Sequence, residues 1–448
     1  MKRKKFVPIR EIRGKFRSFS VRCVSHTFAV SPNLWLILGL FAASGIALAL
    51  TGNPLYAHLA YLWALVLLVS RIWSAVVLRG VEVRRQARIL RAQMGQVFEE
   101  RFEVVNPGRW TRLWLEVRDR SSLPHSRGSR VLSMIGPRQR YRYLARTRLT
   151  SRGVFPLGPT ELRSGDPFGL FPVRREFPPT ATLVVYPMTV EVRAFPSPPG
   201  LLPGGEALRR RTHQITPNAA GVREYAPGDP LNRIHWPSTA RRDRLIVKEF
   251  ELDPLAEVWI FVDAERAVHH ALPSAPTAPA DEVLWQPFGP VTLPPSTEEY
   301  AVTVAASVGR YFLRRGRAVG LVCQGAGLTV LPPDRGGRQL RKMLESLALV
   351  RADGDLPFSA LLGVQARHLP RGSTVVLITP STRREVALAA DQMARRGLRP
   401  VVVLLDAATF GGPPGTEELA AALRALRMPV IPVACGADLT ATLSSGSP

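Results

Sequence analysis

Cysteine and lysine are both scarce in this chain, and each scarcity narrows the classes of protein to which it can belong. Cys23, Cys323 and Cys435 lie far apart and show no CxxC or Cys/His spacing, so we expect neither a disulfide framework nor a zinc site. Six of the 60 basic residues are lysines, and the arginines are spread over the whole chain beside abundant alanine, glycine and proline. This distribution is typical of codon bias, so the net charge of +25 does not by itself predict a nucleic-acid partner.

Glycine-rich nucleotide-binding motifs are missing as well. No GxGxxG or GxxxxGKS/T follows any predicted strand, which leaves dinucleotide and nucleoside triphosphate binding without support. We therefore predict no cofactor and identify no small-molecule substrate. The 448 residues, 46% of them hydrophobic, are enough for two or three domains with sizeable cores.

Long apolar runs are present near the start. Asn33–Leu50 carries no charge, and Leu55–Val77 is apolar apart from one histidine and one arginine. Each run can cross most of a bilayer as an α-helix at about 1.5 Å per residue, and the intervening Thr51–Pro54 has the composition of a tight turn. Residues 33–78 are therefore predicted to form a transmembrane helical hairpin.

The flanks of this hairpin differ from its turn in charge. Residues 1–32 form a basic arm, basic residues also follow the second run, and the turn carries none. Because positive residues accumulate on the cytoplasmic side, both termini are predicted to be cytoplasmic, with the chain anchored in the inner (plasma) membrane. The arm is expected to lie on anionic membrane lipid, and the late start of the first run argues against a cleaved signal peptide.

The remaining chain divides by hydrophobic period. Residues 80–200 show short alternating segments between glycines and prolines, which predict a small antiparallel β-sandwich. Residues 256–440 alternate apolar strands with helices, which predicts a doubly wound α/β domain, and residues 441–448 form a tail. Residues 201–255 lie between the two domains. The predicted fold class is thus a membrane-anchored, multidomain α+β protein.

One end of the α/β domain is the place to look for function. Its first strand, Ala256–Ala264, carries Asp263 at its carboxyl end. In doubly wound sheets ligands bind beyond the carboxyl ends of the strands, so Asp263 is predicted to lie at the ligand-binding edge. Thr297–Arg315 is predicted to be the first long helix of this domain.

The most distinctive passage is GVREYAPGDPLNRIHWPSTARRDRLIVKEFE, residues 221–251, here called the signature segment. It combines a Pro-Gly-Asp-Pro turn, a short helix predicted over 230–236 with Asp229 as its cap, and an alternating strand. Its acids and bases alternate, so arginine is predicted to pair with Glu224, Asp229 or Glu249.

The signature segment resembles the hallmark of the domain-of-unknown-function 58 family, a REYxPGDxxxRIxWxxxARxxxLxVKEFE run before a von Willebrand factor A-like domain. The upstream RGVFPLGPTELRSGDPFGLF is similar to a second signature of that family. The resemblance implies a membrane-anchored bacterial protein with a von Willebrand A-like domain, often encoded beside a MoxR-type AAA+ ATPase. The residues expected to form this structural signature or to bind a partner are Arg223, Glu224, Tyr225, Gly228, Asp229, Arg233, His235, Trp236, Arg241, Lys248 and Glu249.

The resemblance also implies a divalent-cation site, and here the chain departs from the family pattern. A von Willebrand A domain binds its cation through a DxSxS run after the first strand, because hard ions prefer oxygen ligands. The run reads DAERA from Asp263 to Ala267, so both serines are replaced. Asp263, Glu265 and Thr379 are the ligands on offer, and we predict a degenerate site that binds no metal.

Three functions are open for the signature segment. The predicted one is a joint and partner-docking surface in a non-enzymatic, cytoplasm-facing scaffold that works with a MoxR-type ATPase. The alternative is a cell-envelope enzyme with Asp229 and His235 as acid and base, although no serine or cysteine nucleophile is recognisable beside the histidine. A nucleic-acid clamp would use Arg233 and Trp236, but the interleaved acids would repel phosphate, so no nucleic-acid partner is predicted.

Overall fold

The computed structural model describes residues 26–28, 32–179, 181–196, 219–226, 234–250, 257–273 and 292–444. Two compact units divide the chain between Val185 and Tyr186. Residues 186–196 pack with the second unit, where the Val190 backbone N–H donates to Ser307 Oγ (3.0 Å) and Phe195 is buried. The boundary expected at residue 200 is therefore too late.

The first unit contains the two predicted apolar helices, α1 (Pro32–Thr51) and α2 (Pro54–Val77). Between them Gly52 adopts a left-handed φ of 66°, and the Asn53 side chain accepts a hydrogen bond from the Leu55 backbone N–H (3.0 Å). This helix cap and Pro54 start α2 at the position that the turn composition predicts. Both helices are long and apolar enough to cross a membrane.

The described strands of the first unit form three sheets. A five-stranded sheet has the order β1-β10-β9-β5-β6, and two three-stranded sheets have the orders β2-β4-β7 and β3-β11-β8. The strands are β1 (His26–Phe28), β2 (Glu82–Ala87), β3 (Arg91–Gln93), β4 (Val97–Val105), β5 (Arg112–Asp119), β6 (Arg130–Ile135), β7 (Arg140–Arg148), β8 (Gly153–Leu157), β9 (Thr160–Ser164), β10 (Val173–Phe177) and β11 (Ala181–Tyr186). Pairing in the five-stranded sheet and in the β2-β4-β7 sheet is antiparallel throughout.

Two of these sheets share an apolar core. Phe102 and Tyr143 from the β2-β4-β7 sheet pack in one cluster with Leu115 and Leu162 from the five-stranded sheet. Every second residue of β4 is buried, as the alternating sequence predicts. Glu100 is charged although it occupies one of these buried, inward-facing positions, so its carboxylate needs a hydrogen-bonding partner inside the core.

That partner is Arg85 on the neighbouring strand β2. Its guanidinium donates to both carboxylate oxygens of Glu100 (2.6 and 2.8 Å) and to both of Asp119 (2.8 and 3.0 Å). It also lies over the Phe102 ring, 5.1 Å from the centroid. Three charged side chains therefore replace apolar packing at one end of the core.

The second unit contains the signature hairpin and the α/β domain. Its elements are β12 (Ala219–Glu224), α3 (Trp236–Arg242), β13 (Ile246–Phe250), β14 (Val258–Val262), α4 (Thr297–Arg314), β15 (Val319–Gln324), β16 (Leu328–Asp334), α5 (Gly336–Leu349), α6 (Phe358–Gln365), β17 (Thr374–Thr379), α7 (Glu385–Arg395), β18 (Arg399–Leu405), α8 (Thr416–Ala425), β19 (Val430–Val433) and α9 (Leu439–Ser444). The six-stranded sheet has the order β16-β15-β14-β17-β18-β19.

Helices cover both faces of this sheet. Alternate residues of β14 point to opposite sides, so Ile260 packs in a cluster with α4, α5 and α9, while Phe261 packs in a second cluster with α6, α7 and α8. The mixed α/β organisation that the sequence predicts is confirmed. One detail differs, because β16 is an antiparallel edge strand, and neither it nor α6 was expected.

Candidate functional site

The central strand β14 fixes the position of the first candidate site. It pairs in parallel with β15 on one side and with β17 on the other, so the chain reverses its direction of winding at this strand. A crevice at the carboxyl ends of the strands opens at such a switch point. Asp263 directly follows β14 and Thr379 ends β17, which brings together two of the three candidate ligands.

Asp263 is buried, with 2% of its surface exposed, and its carboxylate is held from two sides. Thr379 Oγ1 donates to Oδ2 (2.6 Å), and the Glu265 backbone N–H donates to Oδ1 (3.0 Å). Thr379 Oγ1 in turn accepts from the Ser381 backbone N–H (2.9 Å). Both oxygens of the carboxylate therefore have partners from the protein itself.

Burial raises the pKa of Asp263 to about 7. Loss of hydration is the main cause, and the nearby Glu265 carboxylate adds to it, whereas the two hydrogen bonds and Arg383 favour the charged form. The group therefore changes its charge near neutral pH, which makes this a site at which protonation and structure are coupled.

Glu265 is paired with a residue that the sequence analysis missed. Arg383 Nη1 donates to Glu265 Oε1 at 2.7 Å, from the loop after β17. This loop directly follows Thr379 at the end of β17, so the basic residues in it were the sequence signal that could have predicted a partner for Glu265. The guanidinium neutralises the carboxylate that was proposed as a second metal ligand.

A divalent cation does not fit these residues. Asp263 and Thr379 are bonded to each other, and Glu265 is bonded to Arg383 instead of being open to an ion. Within the described ranges there is no group of three or more histidine, cysteine or acidic side chains arranged to hold a metal. These side chains thus form a closed polar cluster, in which an acid is hydrogen-bonded to a hydroxyl and a second acid is paired with an arginine.

Further contacts fasten the loop that carries Asp263. The Gly354 N–H donates to the Ala264 carbonyl (2.9 Å), and a Cβ on Gly354 would come within 2.9 Å of that same oxygen. His269 places Nε2 at 3.0 Å from the Asp263 carbonyl and Nδ1 at 2.9 Å from Thr297 Oγ1. Sequence reasoning missed His269 and Gly354, because each acts through a loop conformation that no spacing rule specifies.

The signature segment supplies the second candidate site. Strands β12 and β13 form an antiparallel hairpin that places Arg223 opposite Val247 and puts Lys248 and Glu249 in the second strand. Glu224 pairs with Arg244, and the Tyr225 N–H donates to the Leu245 carbonyl (2.9 Å). The strand RLIVKEFE is thus confirmed from Ile246 to Phe250, whereas Gly228, Asp229 and Arg233 lie outside the described residues.

The short helix of the segment lies later than predicted. Ile234 forms a β-bridge with Val247, so the end of the predicted 230–236 helix is extended, and α3 begins at Trp236. The His235 backbone N–H donates to the Ile246 carbonyl (2.7 Å), which ties the start of α3 to β13. Because strand pairing uses these backbone groups, the helix starts after them.

A serine does lie against His235, which corrects the sequence analysis. His235 Nδ1 is 2.7 Å from Ser238 Oγ, and the Ser238 and Thr239 N–H groups donate to the His235 carbonyl. The three-residue spacing and these backbone bonds are those of a first helical turn. The backbone bonds start α3, and the contact between the two side chains places a hydroxyl beside an imidazole without capping the helix.

The outer side of α3 is exposed. Trp236 has 65% of its surface exposed, and none of the residues of α3 is buried. Arg241 and Arg242 are exposed in its last turn. The helix thus presents one large aromatic side chain and two cations on a frame fixed by β12 and β13.

Residues 221–271 match the family "Protein of unknown function DUF58".

Two known proteins are similar to parts of this chain. The chain is 27% identical over 212 residues to "Uncharacterized protein YeaD" of Bacillus subtilis (strain 168); the match covers 46% of this chain and 45% of that protein, so it spans less than half the length of the relative. The crystal structure of the conserved hypothetical protein BatB from Bacteroides thetaiotaomicron aligns with a TM-score of 0.28 and 13% identity, over 43% of this chain and 96% of that one.

Proposed function

We propose that this chain is a membrane-anchored scaffold that binds a partner protein through the DUF58 segment and its α/β domain. The observation that supports it best is the exposed α3, which presents Trp236 and two arginines on a framework of paired strands. Tryptophan and arginine are the residues that most often carry binding energy in protein interfaces. The carboxylates at the switch point, by contrast, are already bonded to the protein's own side chains.

The α/β domain is proposed to be a von Willebrand A-like domain that has lost its cation site. Its doubly wound sheet with one antiparallel edge strand, and Asp263 after the central strand, support this assignment. Arg383 at Glu265 accounts for the loss, because a guanidinium neutralises the acid in the absence of a cation. Binding to a partner would then not depend on a metal.

The α/β domain is proposed to face the cytoplasm. Basic residues flank both apolar helices at their outer ends, and this asymmetry orients such hairpins. A fluorescent protein fused after Pro448 is expected to fluoresce in the cytoplasm, while an alkaline phosphatase fused there is expected to be inactive. An active phosphatase fusion would reverse the proposed orientation, and extraction of the chain by carbonate would contradict the anchor itself.

The proposed partner is a MoxR-type AAA+ ATPase, which the family resemblance implies. We expect Trp236→Ala to lower the affinity of the detergent-purified full chain for a purified MoxR-type ATPase from the same organism by about 30-fold or more, because loss of a hot-spot residue costs about 2 kcal/mol or more. Surface plasmon resonance with the immobilised full chain measures this change.

Leu388 on α7 provides the matched control, since it is 63% exposed and lies outside the DUF58 segment. Leu388→Ala should leave the ATPase affinity within about twofold of the wild-type value, which is the usual effect of a residue outside an interface. Equal affinities for the Trp236→Ala variant and the wild type, with unchanged melting temperatures, would exclude α3 as the docking surface.

A hydrolytic enzyme is the second candidate, and the contact between Ser238 and His235 favours it. A histidine beside a hydroxyl is the first requirement of an activated serine nucleophile. The proposed acid Asp229 lies outside the described residues. Labelling of the wild type by a fluorophosphonate, absent in Ser238→Ala, would favour this candidate over the scaffold.

A further inference from the structure

The carboxyl-terminal end of α2 is enclosed by two loops of the β-rich part of the first unit. Ser74 Oγ donates to the Phe171 carbonyl (2.7 Å), in the loop Gly165–Phe171. Arg112, the first residue of β5 directly after the loop Asn106–Thr111, donates to the carbonyls of Val76 (3.0 Å) and Arg79 (3.3 Å). We call these two loops the collar.

Each loop of the collar is held in shape by one buried polar side chain. Asp166 accepts from the backbone N–H groups of Phe168 (3.1 Å) and Phe171 (2.7 Å). Asn106 donates from Nδ2 to the Trp110 carbonyl (2.9 Å) and accepts at Oδ1 from the Gly108 N–H (3.2 Å). Both loops are therefore built turns with defined tips.

The tips carry large aromatic side chains that face away from the protein. Trp110 is 69% exposed and Phe168 is 57% exposed, although the next residue but one, Leu170, is buried. Single exposed apolar residues are common on protein surfaces. Two of them on hydrogen-bonded loops that contact the end of the same apolar helix need a different explanation.

The length of α2 determines at which depth of a bilayer the collar would lie. Its 24 residues span about 36 Å, while the hydrocarbon core of a bilayer is about 30 Å thick. About one helical turn is therefore longer than the core, and placing this excess at the carboxyl-terminal end puts Ser74–Val77, the turn that contacts the collar, in the headgroup region. Tryptophan and other aromatic rings are enriched at that level of a membrane.

The charge of the neighbouring residues agrees with a lipid surface. Arg109 lies beside Trp110, and Arg138 donates its backbone N–H to the Gly108 carbonyl (3.1 Å); both arginine side chains are exposed. The acid of the collar, Asp166, is buried and turned into its own loop. The exposed tips are thus aromatic and basic, which suits anionic headgroups.

We propose that the collar is a second membrane contact, in which Trp110 and Phe168 insert into the headgroup region of an anionic bilayer around the end of α2. This proposal rests on the membrane anchoring proposed above. It assigns a role to the GDPFGLF motif that neither the joint nor the docking surface uses. The contact would hold the sheets of the first unit at a fixed tilt to the bilayer, since the hairpin alone leaves that angle free.

Electron paramagnetic resonance on the full chain in nanodiscs of phosphatidylcholine and phosphatidylglycerol tests this contact. Nitroxide labels are placed by Trp110→Cys, Phe168→Cys or Arg109→Cys, after Cys23→Ser and Cys435→Ser. Cys323 can stay, because burial raises the pKa of its thiol to about 11 and leaves it unreactive. Collision rates with oxygen and with a water-soluble nickel chelate report whether each label lies in lipid or in water.

Ile89 is the matched control, as it is an exposed apolar residue that follows the far end of β2, about 20 Å along the strand from α2. Leu65→Cys in the middle of α2 reports on the anchor itself. We expect the ratio of oxygen to nickel collisions at residues 110 and 168 to exceed that at Ile89→Cys several-fold, with residue 65 higher still.

The outcomes separate the two proposals. If residues 110 and 168 behave like residue 89 while residue 65 lies in lipid, the collar proposal is overturned and the anchor stands. If residue 65 is also accessible to the nickel chelate, the anchor fails and the collar proposal fails with it. Circular dichroism and melting temperatures of the labelled chains confirm that each variant is folded.

Discussion

The wild-type chain is expected to lose about 4 kcal/mol of unfolding free energy, relative to an Asp263→Asn variant, as the pH rises from about 4 to above 7. Burial raises the pKa of Asp263 from 3.8 in an unfolded chain to about 7, so the folded state binds a proton more tightly than the unfolded one. The contribution of protonated Asp263 to the unfolding free energy is therefore fully present below about pH 4, and it is lost as the pH rises from there through 7. Three pKa units at about 1.4 kcal/mol each give the magnitude.

Urea unfolding of the detergent-solubilised full chain at pH 4 and pH 8, followed by circular dichroism, measures this difference. Asparagine carries no charge and does not titrate, so the variant should keep its unfolding free energy over the pH range in which the wild type loses it. Asp391→Asn is the control, because Asp391 forms a surface pair with Arg395. Parallel pH profiles of the wild type and Asp263→Asn would show that the carboxylate stays charged in the fold.

Arg85→Met is expected to destabilise the first unit by about 3–5 kcal/mol, the usual cost of removing one partner from a buried ion pair. Arg85 has 3% of its side chain exposed, and its removal leaves Glu100 and Asp119 without their shared cation. Burial already raises the pKa of Glu100, although Arg85 opposes this shift. Without the guanidinium, at least one carboxylate must take up a proton to stay buried.

The neighbouring residue on the same strand provides the comparison. Arg84 forms an exposed pair with Glu82, so Arg84→Met should cost at most about 1 kcal/mol. Adding Glu100→Gln to Arg85→Met should recover part of the loss, because it removes one buried charge. Equal unfolding midpoints for Arg84→Met and Arg85→Met would refute the structural role of the buried cluster.

Long apolar runs and strong periodicity were the parts of the fold that the sequence could predict. The two apolar helices and α4 begin and end within one or two residues of the predicted bounds, because hydrophobic length and period determine them. Strand β16 was missed since its sequence LTVLPPD is half-exposed and contains two prolines, which argue against a strand. α6 is only eight residues long and has no such period.

For the candidate site, the sequence could predict which residues share an edge but not which of them bond. Asp263 and Thr379 meet because both follow parallel strands, a matter of topology. The partnership of Glu265 with Arg383 and the contact of His235 with Ser238 depend on loop and helix-start geometry. Local conformations of this kind are selected by packing around them, which a single sequence does not display.

The prolines of β16 have a consequence for the membrane-anchored chain proposed above. Tethered copies meet far more often in two dimensions than the same number free in solution, so an open sheet edge invites strand pairing between neighbours. Pro332 and Pro333 offer no N–H along the outermost strand, and the strand runs against the direction of the sheet. Crowded copies on one bilayer can thus collide along this edge without fusing their sheets.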